Sequence, residues 1–322
     1  ASIVNDHSYL LLSSLVPVIY FIGFLSYFRF QENIRKFEIL IMIAFAIANI
    51  FLLYFVSINF DLDFYLMGLE IDYGLDRAQG IYGDANNAAF VAILGFIFVY
   101  KCFLPKNKFQ IILKLFLLGM SAYALYLTYS TTGFGVFIVA IALLNFKYLT
   151  KTRLLILPFV LIGFYLLLIN MSSLLEGFDL NPRQQSKIDN FVNVLKLDFD
   201  NVDSSGRDVY VKELIAYINK SPLIGNGLDF GALHHGHNTY LSIIADAGIF
   251  PLLLFLLLLI RYAKNIFLVN KENRYYAFAI LQGFILFMLS LQTVINQPYL
   301  LVIFIYLAYY IDNNRVSNID VL

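Results

Sequence analysis

Apolar residues along this chain come in long, nearly unbroken runs, separated by short polar segments and by one long one. Nine runs stand out, at about 8–28, 39–58, 87–104, 110–128, 132–149, 154–172, 239–260, 275–291 and 294–311. Each is about as long as the roughly 17 to 25 helical residues needed to cross about 30 Å of hydrocarbon. The fourth and fifth lie in one uncharged stretch from Leu115 to Phe146. We divide it at Ser130, Thr131, Thr132 and Gly133, because clustered hydroxyls and glycine predict a tight turn. The last two runs meet between Gln292 and Pro298. The pattern predicts an all-α, polytopic transmembrane helix bundle of about nine spans, with residues 1–322 forming a single integral membrane domain.

Composition agrees with that pattern. Hydrophobic residues make up 60% of the chain and charged ones 14%, with a mean hydropathy of +0.75. A soluble domain carries about 45 to 50% apolar and about 25% charged residues, so the excess here requires lipid. Lysine and arginine number 22 against 22 acidic residues, which excludes nucleic acid as a partner held by bulk charge. The lone Cys102 excludes an internal disulfide and any multi-cysteine metal centre. Tryptophan is absent, so interfacial anchoring falls to the 23 tyrosines.

Basic residues alternate between loops. Arg29, Arg35 and Lys36 follow the first run, Lys101, Lys106 and Lys108 the third, and Lys147, Lys151 and Arg153 the fifth. Arg261, Lys264, Lys271 and Arg274 follow the seventh, and Arg315 the ninth. The loop 59–85 is acidic, with Arg77 its one basic residue. Retention of cations on the cytoplasmic side then places the N-terminus and the acidic loops outside and the C-terminus inside. The first run lacks the basic flank and small-residue cleavage site of a signal peptide. An outward N-terminus that opens on Ala1 predicts that further spans precede this sequence.

The spans carry almost no ionisable residues apart from lysines near their ends; Asp246, in the seventh, is the exception. Ion-coupled transporters carry several intramembrane charges, so that class is disfavoured and chemistry is expected at the outer face. The segment 173–237 is too long to be a simple connector. Asn181-Pro182 reads as a helix start, with Ile188, Phe191, Val192 and Leu195 on one face. Ser205-Gly206-Arg207-Asp208 reads as a capping box before a helix with Val211, Leu214, Ile215 and Ile218 on one face. Both helices are expected to lie on the membrane surface. Pro222, Gly225 and Gly227 then turn the chain toward the seventh span.

Candidate chemistry gathers around these segments. His237, Asn238 and Tyr240 stand at the lip of the seventh span, where a helix N-terminus directs free amides and a positive dipole end toward a phosphate. A neutral His237 imidazole can take a proton from a hydroxyl. Arg207 and Arg77 are fixed cations with a geometry suited to phosphate oxygens. Blander readings stay open: a hydrogen-bonded spacer role for His237, an ion pair for Arg77, and glycines at 225 and 227 that only turn the chain. A metal on the three histidines, or on the Asp61 and Asp63 or Asp198 and Asp200 pairs, is a further alternative. Asp246 is expected on the same helix as His237, facing the other way and hydrogen-bonded within the bundle.

Three blocks in order give the chain a family likeness. They are Arg77-Ala-Gln-Gly80-Ile-Tyr-Gly83-Asp-Ala-Asn86-Asn87; Ser205-Gly206-Arg207 with Pro222-Leu-Ile-Gly225-Asn-Gly227; and His237-Asn238-Thr-Tyr240-Leu241 with Asp246 and Gly248. Over roughly residues 75–262 the chain resembles the bacterial O-antigen ligase and O-antigen polymerase superfamily. It departs from the family pattern at Pro251, where glycine is common, at Ala85, where proline is, and in having nine spans rather than about a dozen.

The resemblance implies a GT-C-like membrane glycosyltransferase in the bacterial cytoplasmic membrane, with its site on the periplasmic or extracellular side and with no metal or other cofactor. It implies an undecaprenyl-diphosphate-linked glycan as donor and a second lipid-linked glycan or lipid A-core as acceptor. Membrane lipids and a chain-length regulator are its further partners. On this likeness Arg207 and Arg77 neutralise the departing diphosphate and His237 orients or deprotonates the acceptor. Asn238, Tyr240, Asn86, Gly225 and Gly227 line or support the site. The compact chain and the loose match at Pro251 favour a repeat-unit polymerase over a ligase; a lipid-linked glycan transporter is the more distant alternative.

Overall fold

The computed structural model describes residues 8–66, 77–146, 182–198, 207–234, 236–292 and 297–315, with isolated positions at 163, 166, 169, 170, 173, 201, 294 and 295. Among them every regular element is a helix, apart from one isolated bridge between Val269 and Arg315. The expected span 154–172 and the stretches 67–76 and 202–206 lie almost wholly outside the described residues.

In chain order the helices are α1 (Ser8–Phe28), α2 (Gln31–Ser57), α3 (Leu62–Leu66), α4 (Ala85–Cys102), α5 (Lys108–Leu127) and α6 (Thr131–Asn145). Then follow α7 (Pro182–Leu195), α8 (Arg207–Lys220), α9 (Phe230–Leu233), α10 (Thr239–Ala247), α11 (Ile249–Ile266), α12 (Lys271–Phe287) and α13 (Pro298–Asn313). Among the described residues four stretches are long and apolar enough to cross a membrane: Glu32–Ser57, Ala85–Cys102, Lys108–Leu127 and Ile249–Ile266. Leu15–Phe28, Thr131–Asn145 and Pro298–Asn313 are shorter apolar helices. Among the described residues the all-helical, multi-pass character is therefore present, with four stretches of full crossing length.

The run 239–260 is not one helix. Gly248 adopts φ +88 and separates α10 from α11, so the apolar span runs over Ile249–Ile266 and takes Arg261 and Lys264 into its last turns. The left-handed backbone there suits glycine, since it has no Cβ to clash. A Cβ at this position would also overlap the Leu223 carbonyl.

The chain divides into two compact units, residues 40–204 and residues 1–39 with 205–322. In the first, α4 is the core: fifteen of its residues are buried, and it packs on α5 and α6. Asp84 starts α4 by accepting from the amides of Asn86 and Asn87 at 2.8 and 2.9 Å, and Lys114 of α5 donates to the carbonyls of Tyr100 and Phe103 at its other end. Both ends thereby satisfy backbone groups that a helix leaves open. Ser130 caps α6 through the Gly133 amide at 3.1 Å, which accounts for the turn between α5 and α6. Within the apolar layer Asn49 of α2 donates to Ser121 of α5 at 3.1 Å, a polar link between helices. α6 meets α7 through Phe134 and Phe191, with Ile188, Phe191 and Val192 buried as their spacing predicts.

In the second unit α1 packs along α13, and an aromatic cluster of Phe24, Phe28, Phe37 and Tyr306 fills their junction with the start of α2. A carboxylate is buried beside it. Glu38 accepts from the Tyr306 hydroxyl at 2.8 Å and from Arg35 at 2.9 Å, and Tyr306 lies 3.2 Å from the Tyr276 hydroxyl. The charge is tolerated because its oxygens are hydrogen-bonded. On α8 Leu214 and Ile218 are buried but Ile215 is exposed, so the buried face is narrower than the expected one.

Because a hydrogen bond to a charged group contributes about 1.5–3 kcal/mol, Tyr306→Phe is expected to lower stability by about that amount and Glu38→Gln, which retains an acceptor, by less. Thermal unfolding in detergent measures both; an unchanged midpoint for Tyr306→Phe would exclude this link as a stabilising one.

Candidate functional site

In the unit formed by residues 1–39 and 205–322, the site is built on the short helix α10, which is held at both ends. At its C-terminal end the Pro222–Gly227 turn supplies donors: Asn226 and Gly227 amides reach the carbonyls of Ala245 and Asp246 at 2.8 and 3.0 Å, and the Asn226 side chain reaches Ala245 at 3.1 Å. Gly225, at φ +70, lets this turn lie against Asp246, where any Cβ would overlap the main chain. Gly225 and Gly227 thus stand at the far end of α10 from His237, roughly 13 Å away for nine residues at helical rise. Their part is to fix the helix.

At the N-terminal end Asn238 is the cap, its Oδ1 accepting from the Leu241 amide at 3.0 Å while its Nδ2 donates to Leu289 O at 3.3 Å. Thr239 donates its amide to Met288 O at 2.8 Å and its hydroxyl to Leu291 O at 2.5 Å. The Tyr240 hydroxyl reaches Ile285 O at 3.1 Å. These bonds revise one expectation. The amides of Thr239 and Leu241, which were to meet a phosphate, are committed to the protein itself.

His237 lies before the helix, not on it, and its backbone is left-handed at φ 41. A non-glycine residue holds such a conformation only where its surroundings enforce it. Here its amide donates to Gln292 Oε1 at 3.1 Å, and the preceding Gly236 amide donates to Gly231 O at 3.0 Å. The imidazole is half-buried and faces the Tyr210 ring of α8, with centroids 6.4 Å apart. Arg207 opens α8 one turn before Tyr210, so its backbone is at the His237 end of that helix; its side chain is outside the described residues. His234 occupies a different environment, against Glu213 at 3.4 Å and between the rings of Tyr217 and Phe230. His235 is outside the described residues, and no three metal-binding side chains come together among the described ones.

Asp246 makes the expected internal hydrogen bond, accepting from the Gly231 amide at 2.6 Å. Burial pushes its carboxyl up to about 6, with Asp229 adding to the rise and the amides of Gly231 and Asp229 opposing it.

Arg77 and Asn86 belong to the other unit. The Arg77 guanidinium donates through Nε to Thr128 O at 2.8 Å and through Nη2 to Asn86 Oδ1 at 3.1 Å. Asn86 Oδ1 also accepts from the Ser130 hydroxyl at 2.8 Å, and the Ala78 amide donates to Leu127 O at 2.9 Å. A loop arginine is thereby clamped to the α5–α6 turn and to the first turn of α4. Asn86 is buried, and its shown contacts orient Arg77. Asp61 is buried and lines a small cavity with Ala78, Gln79 and Gly80, and the Asp63 side chain is outside the described residues.

Sequence reasoning missed Gln292, Tyr210, Thr128 and Ser130 as site-forming residues. Gln292 carried one signal, its place as a polar residue between two apolar runs. Thr128 acts through a carbonyl, which no residue type announces.

Helices of membrane-crossing length and buried polar clusters at their ends define a multi-pass membrane protein. Residues 115–256 match the O-antigen ligase family, a segment that holds Arg207, His237, Asn238 and Tyr240 and leaves Arg77 and Asn86 outside it. This match supports the O-antigen ligase and polymerase superfamily, whose members are glycosyltransferase-like enzymes, and a function broadly of that type. No curated protein matches it.

Asp246 has a raised carboxyl in the folded state, so its contribution to stability is fully present below 3.8 and is lost as pH rises through about 6. A change of this size corresponds to about 3 kcal/mol. Asp246→Asn, which keeps an acceptor for Gly231 and carries no charge, is expected to be the more stable protein above pH 6 and the less pH-sensitive one. Unfolding midpoints between pH 4 and 8 measure this; parallel curves would overturn it.

Proposed function

We propose that the protein transfers a glycan from undecaprenyl diphosphate to a hydroxyl acceptor at the outer face of the bacterial cytoplasmic membrane, as a surface-polysaccharide repeat-unit polymerase. The observation that carries this reading is His237, held by Gln292 in a left-handed backbone at the shoulder of α10, inside the segment that matches the O-antigen ligase family. A main chain fixed in this way presents its side chain to the substrate from a set position.

In the proposed reaction an acceptor oxygen attacks the anomeric carbon from the face opposite the diphosphate. The bond from that carbon to the diphosphate oxygen breaks, and undecaprenyl diphosphate departs with the electron pair. The acceptor proton passes to the His237 imidazole. Arg207 and Arg77 are assigned to the charge that develops on the leaving group, a preorganised electrostatic role that needs no metal. Support for Arg77 comes from its clamp on Thr128 and Asn86, which fixes the guanidinium in place. Support for Arg207 comes from its position one turn before Tyr210, the ring that faces His237. Asn238 and Tyr240 shape the site through α10. A ligase, with lipid A-core as acceptor, is the second reading, favoured by the description of the matching family.

His237→Ala, Arg207→Ala and Arg77→Ala are each expected to lower glycan transfer at least about 100-fold, the scale of a lost acid–base or oxyanion-type group, with the protein still inserted in the membrane. Full transfer by the His237 and Arg207 variants would remove the site assignment. With lipid-linked donor alone, chains that lengthen on lipid identify a polymerase, whereas a strict requirement for lipid A-core identifies a ligase. Loss of transfer in EDTA with recovery in magnesium would replace this mechanism by a metal-dependent one.

A further inference from the structure

The turn between α8 and α9 presents apolar side chains outward. Leu223 is 58% exposed and Ile224 81% exposed, although neither belongs to a span. Their location is fixed. The Ile249 amide, the first of α11, donates to Pro222 O at 2.9 Å, and Gly248 lies so close to Leu223 that a Cβ would overlap its carbonyl. Residues 222–225 are therefore bonded to the N-terminal rim of a helix whose surface is open along its length, with Phe250, Leu253, Leu254 and Leu257 all exposed. In a helix of membrane-crossing length that surface faces acyl chains. The exposed Leu223 and Ile224 adjoin the start of that helix.

We propose that the Pro222–Gly225 tip is a membrane-inserted wedge, with Leu223 and Ile224 among the acyl chains of the leaflet that α11 enters first. Part of the tip's main chain is suited to that environment. Pro222 has no N–H, the Gly225 amide donates to Ser221 O at 3.0 Å, and the Ser221 hydroxyl donates to Gly225 O at 2.7 Å, so these polar groups enter with partners. Lys220, exposed on the last turn of α8 with its ammonium 5.0 Å from the Tyr217 ring centre, marks the headgroup level beside it. Because the same turn holds the C-terminal carbonyls of α10, the wedge sets the height of α10, and with it of His237, relative to the bilayer. The inference rests on the membrane reading alone and not on glycan transfer.

The chain has no tryptophan, so Ile224→Trp supplies a single reporter at an exposed position. The full-length variant is placed in vesicles of phosphatidylethanolamine and phosphatidylglycerol, with and without brominated acyl chains, and Phe250→Trp serves as the lipid-facing reference. Emission to the blue of tryptophan in water, quenched by the brominated chains and protected from aqueous iodide, is expected for both. Water-like emission quenched by iodide overturns the wedge. So does blue emission that brominated chains leave unquenched and that reverts when lipid is added in excess, since a second copy of the chain would then be the cover. Tryptophan itself favours interfaces, so Ile224→Cys carrying a nitroxide is measured too, with Cys102 buried and out of reach of the label. Collision with oxygen should exceed collision with a water-soluble nickel complex; the reverse order overturns the proposal.

Discussion

Hydrogen bonds at the two ends of α10 govern the candidate site. A helix of nine residues leaves most of its terminal amides and carbonyls without internal partners, so a short helix is stable only where its neighbours supply them. Met288 and the Asn238 side chain do so at one end, and Asn226 and Gly227 at the other. The position of His237 follows from this arrangement. With Thr239 tied to Met288 and Leu291, and with Gln292 accepting the His237 amide, the chain enters the helix through a left-handed residue whose imidazole is turned toward α8.

A comparable constraint operates around Arg77 in the other unit. A guanidinium brought close to buried helix ends requires acceptors, and it takes them from a backbone carbonyl and a buried amide oxygen. Ser130 shares that amide oxygen while also capping α6, so the turn between α5 and α6, the start of α4 and the arginine loop form one network. Loss of any member leaves the others with unmet polar groups, which is costly where water is scarce.

Much of the fold was readable from residue types. Long apolar runs marked the positions of α1, α2, α4, α5 and α6; hydroxyls and glycine at 130–133 marked the turn between the last two. The motif blocks around Arg207 and His237 lie inside the segment 115–256 that matches the O-antigen ligase family, whereas the Arg77 block lies before it. The expected run 239–260 failed because hydropathy averages over a window and does not register one left-handed glycine. Gly248 is as apolar as its neighbours, and the break arises from the approach of Leu223, distant in sequence. Glu38 was overlooked for a related reason. It sits one residue outside a predicted span, and its burial depends on Tyr306, 268 positions along the chain.

Hydrophobic periodicity, charge alternation and local capping are properties of neighbouring residues, so the sequence alone could settle that the chain is helical and membrane-embedded and where most helices start. Which amide a carbonyl accepts from, and hence which way His237 faces, depends on segments that meet only after folding. Gln292 has no local feature that distinguishes it from any other glutamine between two apolar runs; its role comes into being when the segment after α12 is laid beside the start of α10. For the same reason the Gly225–Gly227 turn, which reads as part of a binding motif, lies at the far end of that helix: the Asn226 and Gly227 amides take the open carbonyls of Ala245 and Asp246, and Gly225 allows the close approach.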